Sequence, residues 1–234
     1  MRQILGTIDF MELLGLTSLT ERKEHSMEKI ALSDVDGTII RGSLVLDHAC
    51  SLHEQGIVDL GDHPENWRAD QKNEAKIVAL AEAYKTALVG KRQSELGVSK
   101  YLDTLFADES KFYSTLERLK ELQAQGAEIH LISGSPSFLV GPFARRLGMR
   151  HAGSLYSRTR PGHFTGVVRL MAVGGAKRDY VASLNVDRYD EVHAFGDTSS
   201  DAPLFDVAHY STLVDPSPHT ESLFAGKVSS IIRD

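Results

Sequence analysis

Apolar and polar positions along this chain fall into two rhythms. A short apolar run over residues 30–33, the length of a buried strand, drives into Asp34 and Asp36, and Gly37 and Thr38 then turn the chain away. No strand-like pattern returns until residue 127. Helical spacing fills the interval. Residues 44–55 predict one helix, with Ser43 as N-cap and Gly56 as a left-handed stop. Asp62 and Glu65 around Pro64 predict a capping-box-like start to one longer helix carrying Ile77, Leu80, Ala81, Tyr84 and Leu88 and ended by Gly90. A third helix is predicted over 98–106.

From residue 110 the rhythm alternates. Leu116, Leu119 and Leu122 form a helix stripe closed by Gly126, and a strand over 127–132 follows and ends at Ser133 and Gly134. Ser135 then reads as the cap of a new helix with Pro136 at its first position. Strands are expected over 150–156 and 165–170 around a turn at Pro161 and Gly162, then a helix over 176–184 after Gly174 and Gly175. A core strand over 192–195 runs into Gly196, Asp197 and Asp201, Pro203 starts another helix, and 210–214 and 228–232 supply further strands. Strands alternating with helices predict an α/β fold with a doubly wound parallel sheet. A parallel crossover usually needs one helix, so the helical stretch 41–108 reads as a small all-helical cap inserted after the first strand, with an ordinary crossover as the alternative. The core then comprises 29–40 and 109–234. Residues 1–28 read as an extension in which Ile8, Met11, Leu14 and Leu16 suit a short amphipathic helix, and Met27 is a natural start for the functional domain.

Composition narrows the partners. With 234 residues and a formal charge of −6, the chain can bury a substantial core but lacks the basic face that nucleic acids or anionic membranes select. No apolar stretch approaches the roughly 18 residues of a membrane span, and Asp9 and Glu12 within the opening apolar segment argue against a signal peptide. The single cysteine, Cys50, excludes an internal disulfide and suits a reducing cytoplasm as a small buried residue. The ten histidines show no metal-binding spacing.

Candidate chemistry gathers at predicted strand ends and one helix start: Asp34 with Asp36, Ser133, Lys177, and Asp197 with Asp201. Taken alone, the first cluster also reads as a turn. In an open α/β sheet, however, the carboxyl ends of neighbouring strands face one crevice, so these residues can meet. Crowded aspartates repel unless a cation neutralises them, and an all-oxygen set points to Mg²⁺. Lys177 and Ser133 then offer a phosphate dianion a point charge and a hydroxyl donor.

This set resembles the haloacid dehalogenase-like hydrolase superfamily, whose four motifs stand here in order: Asp34 to Thr38, Ser133, Lys177, and Gly196 to Asp201. The sequence is most similar to its phosphoserine-phosphatase-like branch. The resemblance implies a Mg²⁺-dependent phosphomonoesterase acting on a small phosphorylated metabolite. Asp34 would attack phosphorus to form an aspartyl-phosphate. Asp36 would protonate the leaving oxygen and then activate water. The Asp34 and Asp197 carboxylates and the Asp36 backbone carbonyl would hold the metal, with Asp201 directly or through water. Ser133, Lys177 and backbone N–H groups near Val35 and Gly134 would hold the phosphoryl oxygens.

Departures from the family bear on the substrate. Dehalogenases are similar in lacking the second aspartate, so Asp36 disfavours that chemistry. A phosphonatase needs a cap lysine, and Lys72, Lys76, Lys85, Lys91 and Lys100 read far better as a solvated face. Phosphoserine phosphatases carry a glutamate in the segment leading into the cap, where this chain has Arg41, Gly42 and Ser43, which argues against phosphoserine. Arg41 reads equally as a phosphate-side cation and as a plain surface residue. Trp67, Tyr84 and Tyr101 can line the cap, although packing is the commoner role of such aromatics. A phosphotransferase of the same fold and a catalytically silent binding protein are the alternatives.

Overall fold

The computed structural model describes residues 27–70 and 74–234. The extension proposed over 1–28 therefore lies almost wholly outside the described residues, as does Lys72. Among the described residues, seven strands form one sheet in the order β4-β3-β2-β1-β5-β6-β7. They are β1 (Lys29–Ser33), β2 (Glu128–Pro136), β3 (Arg150–Arg158), β4 (Phe164–Leu170), β5 (Glu191–Gly196), β6 (Tyr210–Val214) and β7 (Ser230–Ile232). Every pairing is parallel except β3 with β4, which is antiparallel and closes one edge as a hairpin. The parallel doubly wound expectation holds, with that one edge strand reversed.

Alternation along the central strands builds two cores. Ala31, Ile129 and Leu131 face one side, with Leu116, Leu119, Leu122, Phe138 and Phe143. Ile30, Leu32, Ile132, Val192 and Ala194 face the other, with Val181, Leu204 and Phe205. A period of two sends neighbouring side chains to opposite faces, so each central strand is buried on both. The covering helices include α5 (Thr115–Ala124), α6 (Ser137–Leu147), α7 (Gly175–Ser183), α8 (Ala202–Phe205) and α9 (Pro218–Leu223).

Between β1 and α5 lie α1 (Leu44–Glu54), α2 (His63–Arg68), α3 (Glu74–Ala87) and α4 (Val98–Phe106). The single longer helix expected from Asp62 is two helices, and Asp62 makes no side-chain cap hydrogen bond. Ile77, Leu80, Ala81 and Tyr84 belong to α3 alone, and Leu88 follows its last residue. Buried His48 joins three pieces of this segment: its ring nitrogens meet Tyr84 Oη at 2.9 Å and the Leu96 carbonyl at 2.8 Å. Burial holds the His48 pKa down to about 4.

Candidate active site

The registers of the three central strands bring the site together. Ser33 pairs with Leu131 on β2 and with Phe195 on β5, and the Asp34 amide continues the ladder by donating to the Phe195 carbonyl at 3.0 Å. Asp34 and Asp197 therefore follow the last residues of adjacent strands, and Ser133 lies beside them within the C-terminal half of β2. Carboxylate oxygens of Asp34, Asp197 and Asp201 all lie within 4.8 Å of one another. Lys177, at the start of α7, sits beneath them and is 1% exposed. Its Nζ donates to Asp34 Oδ1 at 2.6 Å and to Asp201 Oδ1 at 2.5 Å.

Each acid is held differently. Asp201 is fully buried, and its second oxygen accepts the amides of Asp197 and Thr198, both at 3.0 Å. This folds the 197–201 turn around the carboxylate. Asp197 is approached by Gly37, whose φ of +82° is left-handed and whose missing Cβ would collide with Asp197 Oδ2. Gly196 similarly abuts the Asp201 side chain, so no larger residue fits at either position without displacing a carboxylate. Burial raises the pKa of Asp34 to about 8, with the charges of Asp201 and Asp36 adding and Lys177 opposing. Burial likewise raises Asp197 to about 9, reinforced by Asp34 and Asp201. For Lys177, burial alone favours the neutral amine, but the Asp34 and Asp201 charges and hydrogen bonds outweigh it and raise its pKa. One ammonium against two buried carboxylates and the half-buried Asp197 leaves excess negative charge. Protons or a divalent cation must balance it.

Asp36 points away from that cluster. Its Oδ2 accepts Ser133 Oγ at 2.5 Å, and its Oδ1 accepts Leu44 N at 2.6 Å and Ser135 Oγ at 3.1 Å. Ser43 makes no side-chain cap on α1; Asp36 meets the Leu44 amide instead, while Asp47 Oδ2 accepts Ser43 N at 3.1 Å. Ser135 does not cap α6 either, because β2 runs on to Pro136 and the helix begins at Ser137. Ser133 and Ser135 share a strand face, and that period of two was the available signal for Ser135. Asp47 is a second residue whose setting the sequence did not announce: burial lifts its carboxyl to about 6. Ser133 thus reaches Asp36 directly, and Gly134 follows it in β2, where its carbonyl accepts Ser154 Oγ at 2.6 Å.

A cleft of about 430 Å³ opens off Asp36 and Asp197, lined also by apolar Leu46, Trp67 and Ile77 and by Arg41, Tyr113 and Asp215. Arg41 stacks over the Tyr113 ring at 4.2 Å from its centroid and donates to the Asp234 carbonyl at 2.6 Å. Trp67 lines the cleft although only 2% of it is exposed, whereas Tyr84, 0% exposed, is a packing residue.

A strand-end crevice with this ordered set of carboxylates and one lysine defines a class, and comparison with known proteins agrees. The haloacid dehalogenase-like hydrolase family matches residues 31–206, and the chain belongs to that family. It is similar to a solved protein of unknown function from Bordetella pertussis Tohama I, 18% identical over 88% of this chain and 99% of that one, with a TM-score of 0.69. A substrate-bound phosphoserine phosphatase structure is 16% identical over 88% of this chain and 93% of that one, with a TM-score of 0.61. A probable phosphatase of Mycobacterium tuberculosis (strain H37Rv) is 27% identical over 94 residues, which is 39% of this chain. The chain spans about a third (33%) of the length of the curated relatives it matches. No described helix is long and apolar enough to cross a membrane.

Proposed function

We propose that this protein is a phosphatase that hydrolyses a small phosphomonoester through an aspartyl-phosphate on Asp34. The observation that carries the reading is the meeting of Asp34, Asp197 and Asp201 within 4.8 Å, with Lys177 Nζ 2.6 Å from the proposed nucleophile. An all-oxygen donor set this tight fits Mg²⁺, held by Asp34, Asp197 and the Asp36 carbonyl with Asp201 in support. When bound, the ion supplies charge neutralisation for an incoming dianion.

The chain's own groups do the rest. Asp34 attacks phosphorus while Lys177, already tethered to it, offers its remaining donor to a phosphoryl oxygen. Ser133, hydrogen-bonded to Asp36, and the Gly134 amide would orient the group, and Asp36 carries the proton to the departing oxygen before drawing one from water. The helical segment 41–108 acts as the cap, placing Leu46, Trp67 and Ile77 against the leaving group. Arg41 at the cleft rim favours an anionic or hydroxyl-bearing alcohol portion over an ammonium. The test is hydrolysis of 4-nitrophenyl phosphate with and without Mg²⁺. Wild-type turnover should require the ion, and Asp34→Asn should lose it while remaining folded by circular dichroism; full turnover in that variant ends the reading.

A further inference from the structure

Ser135 lies at the crossing of three contacts. Its Oγ donates to Asp36 Oδ1 at 3.1 Å and accepts the Val45 amide at 3.2 Å, and its own amide donates to Ser133 Oγ at 2.9 Å. The residue is 1% exposed, so solvent does not compete for the hydroxyl. With Val45 N occupying a lone pair, the single hydroxyl proton is left for Asp36. Leu44 N and Ser135 Oγ together engage both lone pairs of Asp36 Oδ1, whereas Oδ2 receives Ser133 alone. Oδ2 thereby keeps a lone pair that these contacts leave open, the position at which a proton can pass to a neighbouring oxygen, and contacts on both oxygens stop the group from rotating.

We propose that Ser135 is a positioning residue that holds Asp36 Oδ1 against the first turn of α1 and so presents a proton on Oδ2 to the departing oxygen. The inference rests on the acid–base role of Asp36 proposed above. As the bond between Asp34 and phosphorus forms, the ester P–O bond breaks and that oxygen takes the Oδ2 proton, leaving Asp36 as the carboxylate that accepts a proton from water.

The need for this proton depends on the leaving group. An alkoxide requires it; 4-nitrophenolate departs unaided. We would compare kcat/KM, which reports the first transfer, for a simple alkyl phosphate and for 4-nitrophenyl phosphate in the full chain with Mg²⁺. Ser135→Ala is expected to fall about tenfold or more on the alkyl ester relative to the aryl ester, part of the 10²–10⁴-fold that a general acid contributes. Ser135→Cys, similar in size but a weak donor, should repeat that selective loss and serves if the alanine variant does not fold. Ser135→Thr keeps the hydroxyl and should restore the ratio. An equal fall on both esters, as a packing defect gives, or no fall on either, overturns the inference. Asp36→Asn separates the two possible failures. Selective loss there with none at Ser135 overturns this inference alone, while no selective loss at Asp36 removes the acid–base reading as well.

Discussion

Lys177 is the residue on which the site's electrostatics turn. Its ammonium is shared between two buried carboxylates, so replacing it by methionine keeps the volume but strands both acids without a cation. Removing one partner from a buried ion pair costs roughly 3–5 kcal/mol, and urea unfolding of metal-free Lys177→Met should register a loss of that order. An unchanged midpoint would mean that the pairing contributes nothing to stability. Gly37 is the complementary case, since its left-handed backbone and its contact with Asp197 both exclude a side chain. Gly37→Ala should cost about 1–2 kcal/mol through the backbone alone, and displacement of Asp197 should weaken Mg²⁺ retention as read by calorimetry. At this scale much was legible beforehand: Asp34, Asp36, Ser133, Lys177, Asp197 and Asp201 were all named from the sequence. Asp47 was not, and Ser135 was read as a helix cap, because each meets a partner, the Ser43 amide or Asp36, whose approach depends on the fold.

Elements were legible where their stop signals were local. Gly56, Gly126 and Gly162 each end or turn an element with φ of +68°, +92° and +90°, as their flanking patterns implied. The missed break between α2 and α3 has a different origin: an apolar period describes a face and says nothing of continuity along an axis. Which helix partner satisfies buried His48 was equally hidden, since Tyr84 is 36 residues away and Leu96 is 48 away. Tyr84→Phe removes the hydroxyl facing His48 Nδ1 and should destabilise the protein by about 1–3 kcal/mol, the usual cost of an orphaned buried acceptor. Thermal unfolding checks this, and a change below a few tenths of a kcal/mol would show that the network does not tie α1 to α3.

For the whole molecule, two sets of buried groups set opposite pH slopes. His48 drops from 6.5 to about 4 on folding, so the unfolded chain binds more protons between those values and stability rises with pH across that window. Asp34 and Asp197 rise from 3.8 to about 8 and about 9, so the folded chain holds protons that the unfolded one has lost, and stability falls as pH increases towards those values. Below pH 6.5 the depressed His48, His130, His151 and His193 oppose this fall while Asp47, raised to about 6, adds to it, so the clear window lies between 6.5 and 8, where metal-free protein should lose stability as pH increases. A bound divalent ion deprotonates the cluster and should abolish the fall that Asp34 and Asp197 cause above 6.5. Melting temperatures between pH 5.5 and 8.5, with EDTA and with Mg²⁺, decide the matter. Identical slopes under the two conditions would rule out a cation at these carboxylates.

The identity and order of the site residues, the alternation of strand and helix, and the helical character of 41–108 were all determined by the sequence, because each is carried by residues close together in the chain. The tertiary structure alone decided the reversed edge strand, the proton-directing contacts on Asp36, the capture of Arg41 by Asp234, and the closeness of Asp34 to Asp197 across 162 intervening positions. Strand register and long-range burial set these distances, and neither is written in any local pattern.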